Sequence, residues 1–448
     1  MKSLNIKQVL SQEQLGLEPV PIVKQVGGLW PLFKIYSNFF INPGTLVTSG
    51  VMAMAGLSFF SVVGIHLLST LLGMMPFLLL SLAGVKYGIP GQVVCRVVFG
   101  IRGSRWITSI LRLLCSIYWF AFQTAAGSLA IEAILRNCFE IVIPLWSISL
   151  VFALFQGAVA VVGYDSLKWL SGVSFPAKLV IFAVLIGFVM AEGGAGASPS
   201  VVIHKDGLFW DWALALVWIN TLISSFFTIM TDASDFTRYT RSAGALIVGS
   251  LSGALVGTVL ASSFGVYAVI AGGLQSINPF ETVTRLDPGV LILILMATVI
   301  FLDNWSINVI NLYTGGLCLC NMFSGLGRPK ATLIVAIVAA LLTCIPELIS
   351  GYVDHMAAIG TLFAPIAGAL LAWYFLQFQR VDVQALYDEQ GIYWYFHGFN
   401  RFTCLLIPIS FIVGFFIPEG WLPGVFLMVL SLLLSMCHFH GQSQSKNP

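Results

Sequence analysis

Two residues of opposite charge stand inside stretches that are otherwise uncharged: Lys178 in SGVSFPAKLVIF and Asp303 in VIFLDNWSINVINLYTGG. A charge at the depth of a hydrocarbon layer is costly and needs a partner, so such residues mark either a helix-locking ion pair or a site for a coupling ion or proton. The stretch around Asp303 also carries Asn304, Asn308 and Asn311 at i, i+4 and i+7, a face of carboxamides, with Asp303 and Ser306 on the adjoining face. Carboxamides supply donors and acceptors together, as reading the edge of a heterocycle requires, although a seam of hydrogen bonds between helices uses the same groups. In WFAFQ, Trp119 and Gln123 project one turn apart on the same face, so a flat ring can stack on the indole while its polar edge meets the amide. Asn42-Pro43-Gly44 interrupts another apolar run: Pro43 lacks an N–H and leaves an earlier carbonyl unpaired, and Gly44 permits unusual torsions. Interruptions of this kind persist only where protein or a watery cavity covers them, and carriers use the freed groups for solute and ions. The nearest counterpart elsewhere is Ser224-Ser225-Phe226, small polar residues beside an aromatic, without a glycine or proline.

The elements that must position these residues follow from composition. Of 448 residues, 58% are hydrophobic and 9% charged, against roughly 25% charged in a soluble domain. Apolar runs of the ~20 residues needed to cross a bilayer recur along the chain, and their length selects helices over the alternating strands of a barrel. The expected spans are 33–57, 58–84, 106–132, 143–163, 167–191, 209–231, 243–273, 289–313, 331–350, 352–376, 402–418 and 420–438, an all-α polytopic membrane protein with 12 transmembrane helices. With the N-terminus inside, seventeen of the 21 Lys and Arg fall on the cytoplasmic side, Arg136, Lys205 and Arg285 fall outside, and Lys178 remains within a span. This asymmetry predicts cytoplasmic tails at 1–32 and 439–448. The longest inner loops are 85–105, with room for a short surface helix, and 377–401. The net charge of +2 is spread among loops and gives no nucleic-acid patch. The eight cysteines show no CxxC pair and read as small apolar residues.

Taken together, GIPGQVVCRVVFGIRGS (88–104), WFAFQ, TDASDFTRYT (231–240) and the LEPVP of the N-terminal segment resemble the nucleobase:cation symporter family of cytosine, purine, allantoin and hydantoin permeases. The resemblance runs from about Leu17 to the tenth span. It implies a LeuT-type fold with two inverted repeats of five helices, 33–191 and 209–376, followed by peripheral helices within 402–438. By position, Trp119 would stack on the ring and Gln123 would read it. Phe226, with Ser225 beside it, would cover the other face. Asn308 matches the family's asparagine of the eighth span, Asn311 lies one residue from an amide used by hydantoin-type members, and Asn38 and Asn42 are both candidates from the first span. The departure is at the cation site, where two successive hydroxyls are expected and this chain has Ser306 and Ile307. Asp303 lies one turn earlier, and the fifth span, which carries Lys178, passes the same place. A Lys178 ammonium paired with Asp303 in the position of sodium implies proton rather than sodium coupling. No cofactor or metal is expected.

Other classes are less well served by these residues. A sodium-coupled carrier of the same fold for a thiamine-precursor pyrimidine or an amino acid is the alternative, although an amino acid needs sites for a free carboxylate and amine. An intramembrane enzyme would need a nucleophile with a base or a metal cluster. The histidines (66, 204, 355, 397, 438 and 440) form no HExxH, and His66, alone in an apolar span, reads as a hydrogen-bonded packing residue. The identity of the ring and the oligomeric state are not written in the sequence.

Overall fold

Proline and asparagine divide the first apolar run. The helix α1 (Leu29–Phe40) ends at Ile41, and α2 (Pro43–Met54) begins with Pro43 at its first position, where the missing N–H costs nothing. Asn42 between them is extended (φ −147°, ψ 157°), and its side chain accepts from the Thr45 N–H, capping α2. The computed structural model describes residues 16–160, 164–345 and 347–445. It continues with α3 (Phe59–Tyr87), α4 (Gly91–Phe99), α5 (Ser109–Phe139), α6 (Leu145–Ala160), α7 (Tyr164–Glu192), α8 (Trp212–Ile229), α9 (Ala243–Ala271), α10 (Pro279–Arg285), α11 (Val290–Met322), α12 (Arg328–Leu342), α13 (Tyr352–Gln377), α14 (Arg401–Gly414) and α15 (Pro423–Ser445).

The described residues are helical apart from turns and isolated bridges. Among the described residues eight helices, α3, α5, α7, α8, α9, α11, α13 and α15, are long and apolar enough to cross a bilayer. The other four expected spans correspond to the divided α1–α2 and to the shorter α6, α12 and α14. Several bounds differ from expectation. Helix α11 runs nine residues past 313, α12 stops at Leu342 rather than 350, and α15 continues to Ser445, so residues 439–445 extend a helix instead of forming a tail. Residues 1–15 and 446–448 of the expected tails, and 161–163 at the end of the fourth span, lie outside the described residues.

Close helix packing comes from small residues. Along α9, Gly249, Gly253 and Gly257 recur every four residues, and a Cβ on them would lie 2.6, 2.4 and 2.5 Å from the carbonyl oxygens of Leu29, Phe33 and Ser37. Gly265, two turns further, meets the Leu46 carbonyl of α2 in the same way. A stripe of small residues lets two backbones approach within a bilayer, so α9 cradles both halves of the divided helix.

The face of the bundle where α1 begins is closed by irregular chain. The loop expected to hold a surface helix contains α4, and every residue of that helix is buried. A Cβ at Gly91 would be 2.0 Å from the Thr231 carbonyl, and the Gly91 N–H donates to Asp235 at 2.8 Å. The segment 230–240 is buried throughout, and Gly27 pairs with Tyr239 and Thr240. Residues 16–28 are therefore strapped across this face.

Candidate solute and cation site

A cavity of about 760 Å³, its mouth included, lies where the break between α1 and α2 meets α3, α5, α8, α9, α11 and the start of α13. Six of the expected solute residues line it: Asn42, Trp119, Gln123, Ser225, Phe226 and Asn311. The indole of Trp119 is fixed by its N–H, which donates to Thr228 Oγ1 at 3.2 Å, and by edge-on contacts with Phe122 and Tyr352. Phe226 lies over Gly73 of α3, where a side chain would collide with the ring, and stacks on Phe40 with centroids 5.6 Å apart. Both aromatics line the cavity, and among the described residues no ring contact joins Trp119 to Phe226.

The amides have defined orientations. Gly44 sits in the first turn of α2, whose N–H groups lack helical partners, and its N–H donates to Gln123 Oε1 at 2.7 Å. An N–H can only donate, so the oxygen of Gln123 must face α2, and its Nε2 is left as a donor to the cavity. A Cβ on Gly44 would lie 2.6 Å from the Phe122 ring and 2.9 Å from Gln123 Nε2, so only glycine allows this approach. On α11, the Nδ2 of Asn308 donates to Thr124 Oγ1 at 2.9 Å and to Gln156 Oε1 at 2.6 Å, and its Oδ1 accepts from Asn311 Nδ2 at 3.1 Å. Asn311 therefore turns its Oδ1 away from the relay, and the cavity gains an acceptor opposite the donor of Gln123.

Two expected residues are not at the cavity. Asn308 stands one layer behind it, all its groups committed to Thr124, Gln156 and Asn311. Asn38 is fully buried and ties α1 to α7, donating to the Lys34 and Ser171 carbonyls and accepting from Ser174 Oγ at 2.7 Å. Asn42 does line the cavity, but its carboxamide splints the break, with Nδ2 donating to the Phe39 carbonyl at 2.7 Å. Ser225 lines it while its hydroxyl donates to the Leu222 carbonyl at 2.6 Å. Thr124, Gln156 and Thr228 were missed by sequence reasoning. A lone amide such as Gln156 in an apolar run is a legible signal, whereas a threonine is too common in helices to stand out.

The charged residues meet beside the break. Lys178 and Asp303 are both fully buried, with Nζ 2.9 Å from Asp303 Oδ1. The ammonium also donates to Ser306 Oγ at 2.7 Å and to the Ile41 carbonyl at 3.3 Å. Ile41 ends α1, so this carbonyl has no helical partner: the interruption exposes it. Ser306 in turn donates to the Asp303 carbonyl at 3.0 Å. A carboxylate, a hydroxyl and a freed carbonyl form the oxygen-rich setting of a small cation, and an ammonium occupies it.

Phe39, Phe40 and Ile229 separate this cavity from a smaller one toward the face where α1 begins. Asp232 lines the smaller cavity and is held by Arg112 through two bonds, Nε to Oδ1 at 3.0 Å and a terminal nitrogen to Oδ2 at 2.8 Å. Below it, Arg238 reaches the Gly16 carbonyl and Tyr313. The larger cavity is thus shut off from this face, and its polar residues Thr48, His66 and Thr258 extend it toward the other.

The chain is 25% identical to a hydantoin permease of Microbacterium maritypicum over 94% of its own length and 87% of the relative's. It is 25% identical to an allantoin permease of Bacillus subtilis, with 90% and 89% covered, and 22% identical to a cytosine permease of Escherichia coli, with 91% and 89% covered. Its fold matches that of Mhp1, a nucleobase-cation-symport-1 family transporter in a closed conformation with bromovinylhydantoin bound, at a TM-score of 0.81 and 19% identity, over 97% of this chain and 96% of that one. A sodium-coupled sialic acid symporter matches at a TM-score of 0.65 and 14% identity, over 92% and 89%. The model of permeases for cytosine/purines, uracil, thiamine and allantoin matches residues 19–434, so the chain belongs to that family of membrane transporters, with its LeuT-type fold and nucleobase-cation symport kinship.

Proposed function

We propose that the chain carries a small, uncharged, planar heterocycle of the nucleobase or hydantoin kind across the membrane by proton symport. The observation that carries the reading is the Gly44–Gln123 bond. It turns the Gln123 amide so that a donor, one helical turn from the Trp119 indole, faces a cavity whose α11 wall offers the Asn311 acceptor. A ring stacked on Trp119 with a carbonyl and an N–H along its edge satisfies both groups. Neither a free carboxylate nor a free amine has a counter-charge on this wall, which argues against an amino acid.

Coupling follows from the ammonium among cation-binding oxygens. While Lys178 holds Asp303, Ser306 and Ile41, the break between α1 and α2 is tied to α7 and α11, and a sodium ion would have to displace it from the same oxygens. Release of the solute to the cytoplasm requires these helices to part, and a proton lost from the separated pair would travel with the solute. The basic face, sealed by Arg112–Asp232 and the 16–28 strap, is the cytoplasmic one, with both termini on it and the plasma membrane as the site of action. The repeats 33–191 and 209–376 then move relative to each other to open the two faces in turn.

Uptake into proteoliposomes of labelled cytosine, uracil, hypoxanthine, hydantoin and allantoin, with proton and sodium gradients imposed separately, tests this reading. Accumulation of at least one ring under a proton gradient alone is expected. Trp119→Ala should weaken binding of that compound roughly 5- to 150-fold, because stacking on an aromatic side chain contributes ~1–3 kcal/mol per base. Retention of all binding in Trp119→Ala would remove the basis of the proposal.

A further inference from the structure

The α3 wall of the cavity has a polar feature that ring recognition does not use. On α3, His66, Ser69 and Thr70 face the cavity, one turn or two from the Gly73 that receives Phe226. Thr70 and Thr258 satisfy each other at 3.0 Å, whereas Ser69 Oγ is buried with no partner among the described residues. His66 was expected to be a hydrogen-bonded packing residue; it is buried and bonded to Ser49, and it also lines the cavity.

The state of its ring follows from Ser49. The Ser49 hydroxyl lies 2.7 Å from the Thr45 carbonyl and 3.2 Å from His66 Nε2. A hydroxyl has one proton and a carbonyl can only accept, so Ser49 donates to Thr45 and must accept from the ring. Nε2 therefore carries the proton. Among the described residues no carboxylate lines the cavity to balance an imidazolium, and the neutral ring presents Nδ1 as a bare acceptor, without a partner among those residues.

We propose that His66 is a specificity-determining residue whose Nδ1 accepts a hydrogen bond from an N–H or O–H on a substituent of the solute, so that the chain prefers rings bearing a donor arm. This rests on the reading of Trp119 and Gln123 as the ring site. Ser49 is the positioning residue that fixes the tautomer, and the Ser69 hydroxyl supplies a second polar contact to the arm.

Competition binding to purified protein with matched pairs tests it: thymine against 5-aminouracil, where an amino group replaces a methyl of similar size, and hydantoin against allantoin, whose ureido arm carries N–H donors. The wild-type chain should favour the donor-bearing member of at least one pair. His66→Leu should reduce that preference about tenfold, the effect of leaving one buried donor unpaired. His66→Asn, which can return an acceptor oxygen near the position of Nδ1, should retain most of it, and Ser49→Ala should lower it by freeing the tautomer. These two variants carry the test if His66→Leu does not fold. Equal affinity within both wild-type pairs, or a preference unchanged in His66→Leu, would overturn the proposal. Weakened binding of both members of each pair in Trp119→Ala, beside an unchanged preference in His66→Leu, would overturn this inference alone. Undiminished binding in Trp119→Ala would overturn the ring site itself.

Discussion

Replacing Lys178 by methionine removes the ammonium while keeping an unbranched side chain of similar length. At 2.9 Å the ion pair has a Coulomb energy of about 6 kcal/mol with an effective dielectric constant of ~20. Much of that is offset by the cost of burying both charges, and the measured penalty for removing one partner of a buried pair is ~3–5 kcal/mol. Asp303 would be left without its cation, and the Ser306 and Ile41 oxygens would each lose a donor. The variant is therefore expected to unfold at distinctly lower temperature in detergent unless Asp303 takes up a proton. The double variant Lys178→Met/Asp303→Asn should recover most of that loss, because no unpaired charge remains. Both variants should still exchange labelled solute across proteoliposomes at equilibrium, yet neither should accumulate it when a proton gradient is imposed. Uptake by the wild-type chain that requires sodium and persists in Lys178→Met would refute the reasoning, as would proton-driven accumulation by either variant.

Two further outcomes follow from the solute site. Gly44→Ala places a methyl group 2.6 Å from Phe122 and 2.9 Å from the Gln123 amide, so solute binding should weaken on the order of tenfold or more, the cost of displacing a buried hydrogen-bonded group. Gly64→Ala, where nothing lies within 4 Å, is the control, and equal binding by the two variants would contradict the role given to Gly44. Asn308→Leu leaves Thr124, Gln156 and Asn311 without their common partner and should weaken binding by ~1–3 kcal/mol although Asn308 does not line the cavity. Asn304→Leu, one turn away, removes an amide with no hydrogen-bond partner among the described residues and should change binding little. Equilibrium binding to the purified variants compares them, and a larger loss in Asn304→Leu would show that the relay is misassigned.

Much of this molecule is legible in one dimension because a bilayer imposes simple conditions. Apolar length marks the long spans, and the cost of a buried charge marks Lys178 and Asp303 as partners before any contact is known. Proline chemistry marks the break at Asn42-Pro43-Gly44, whereas only the structure shows that the Ile41 carbonyl is the one offered to Lys178. The small-residue stripe of Gly249, Gly253 and Gly257 was equally open to reading, since a spacing of four puts them on one helical face. Boundaries fared worse where a helix end is decided by what covers it: 85–105 reads as an inner loop with room for a surface helix, yet every residue of α4 is buried, with the Gly91 N–H donating to the Asp235 carboxylate.

What the sequence alone determined, then, is the kind of solvent, the long spans, the interrupted helix and the chemical types available at its centre. Only the tertiary structure decided which of those groups face the solute. Asn308 and Asn311 lie less than a turn apart, and helical phase cannot tell a residue on a cavity wall from one a layer behind it. The orientation of a carboxamide or an imidazole depends on its neighbours: Gly44 turns Gln123, Asn308 turns Asn311 and Ser49 sets the proton on His66. These are contacts between distant segments or successive turns, and each depends on a three-dimensional approach that residue types do not encode.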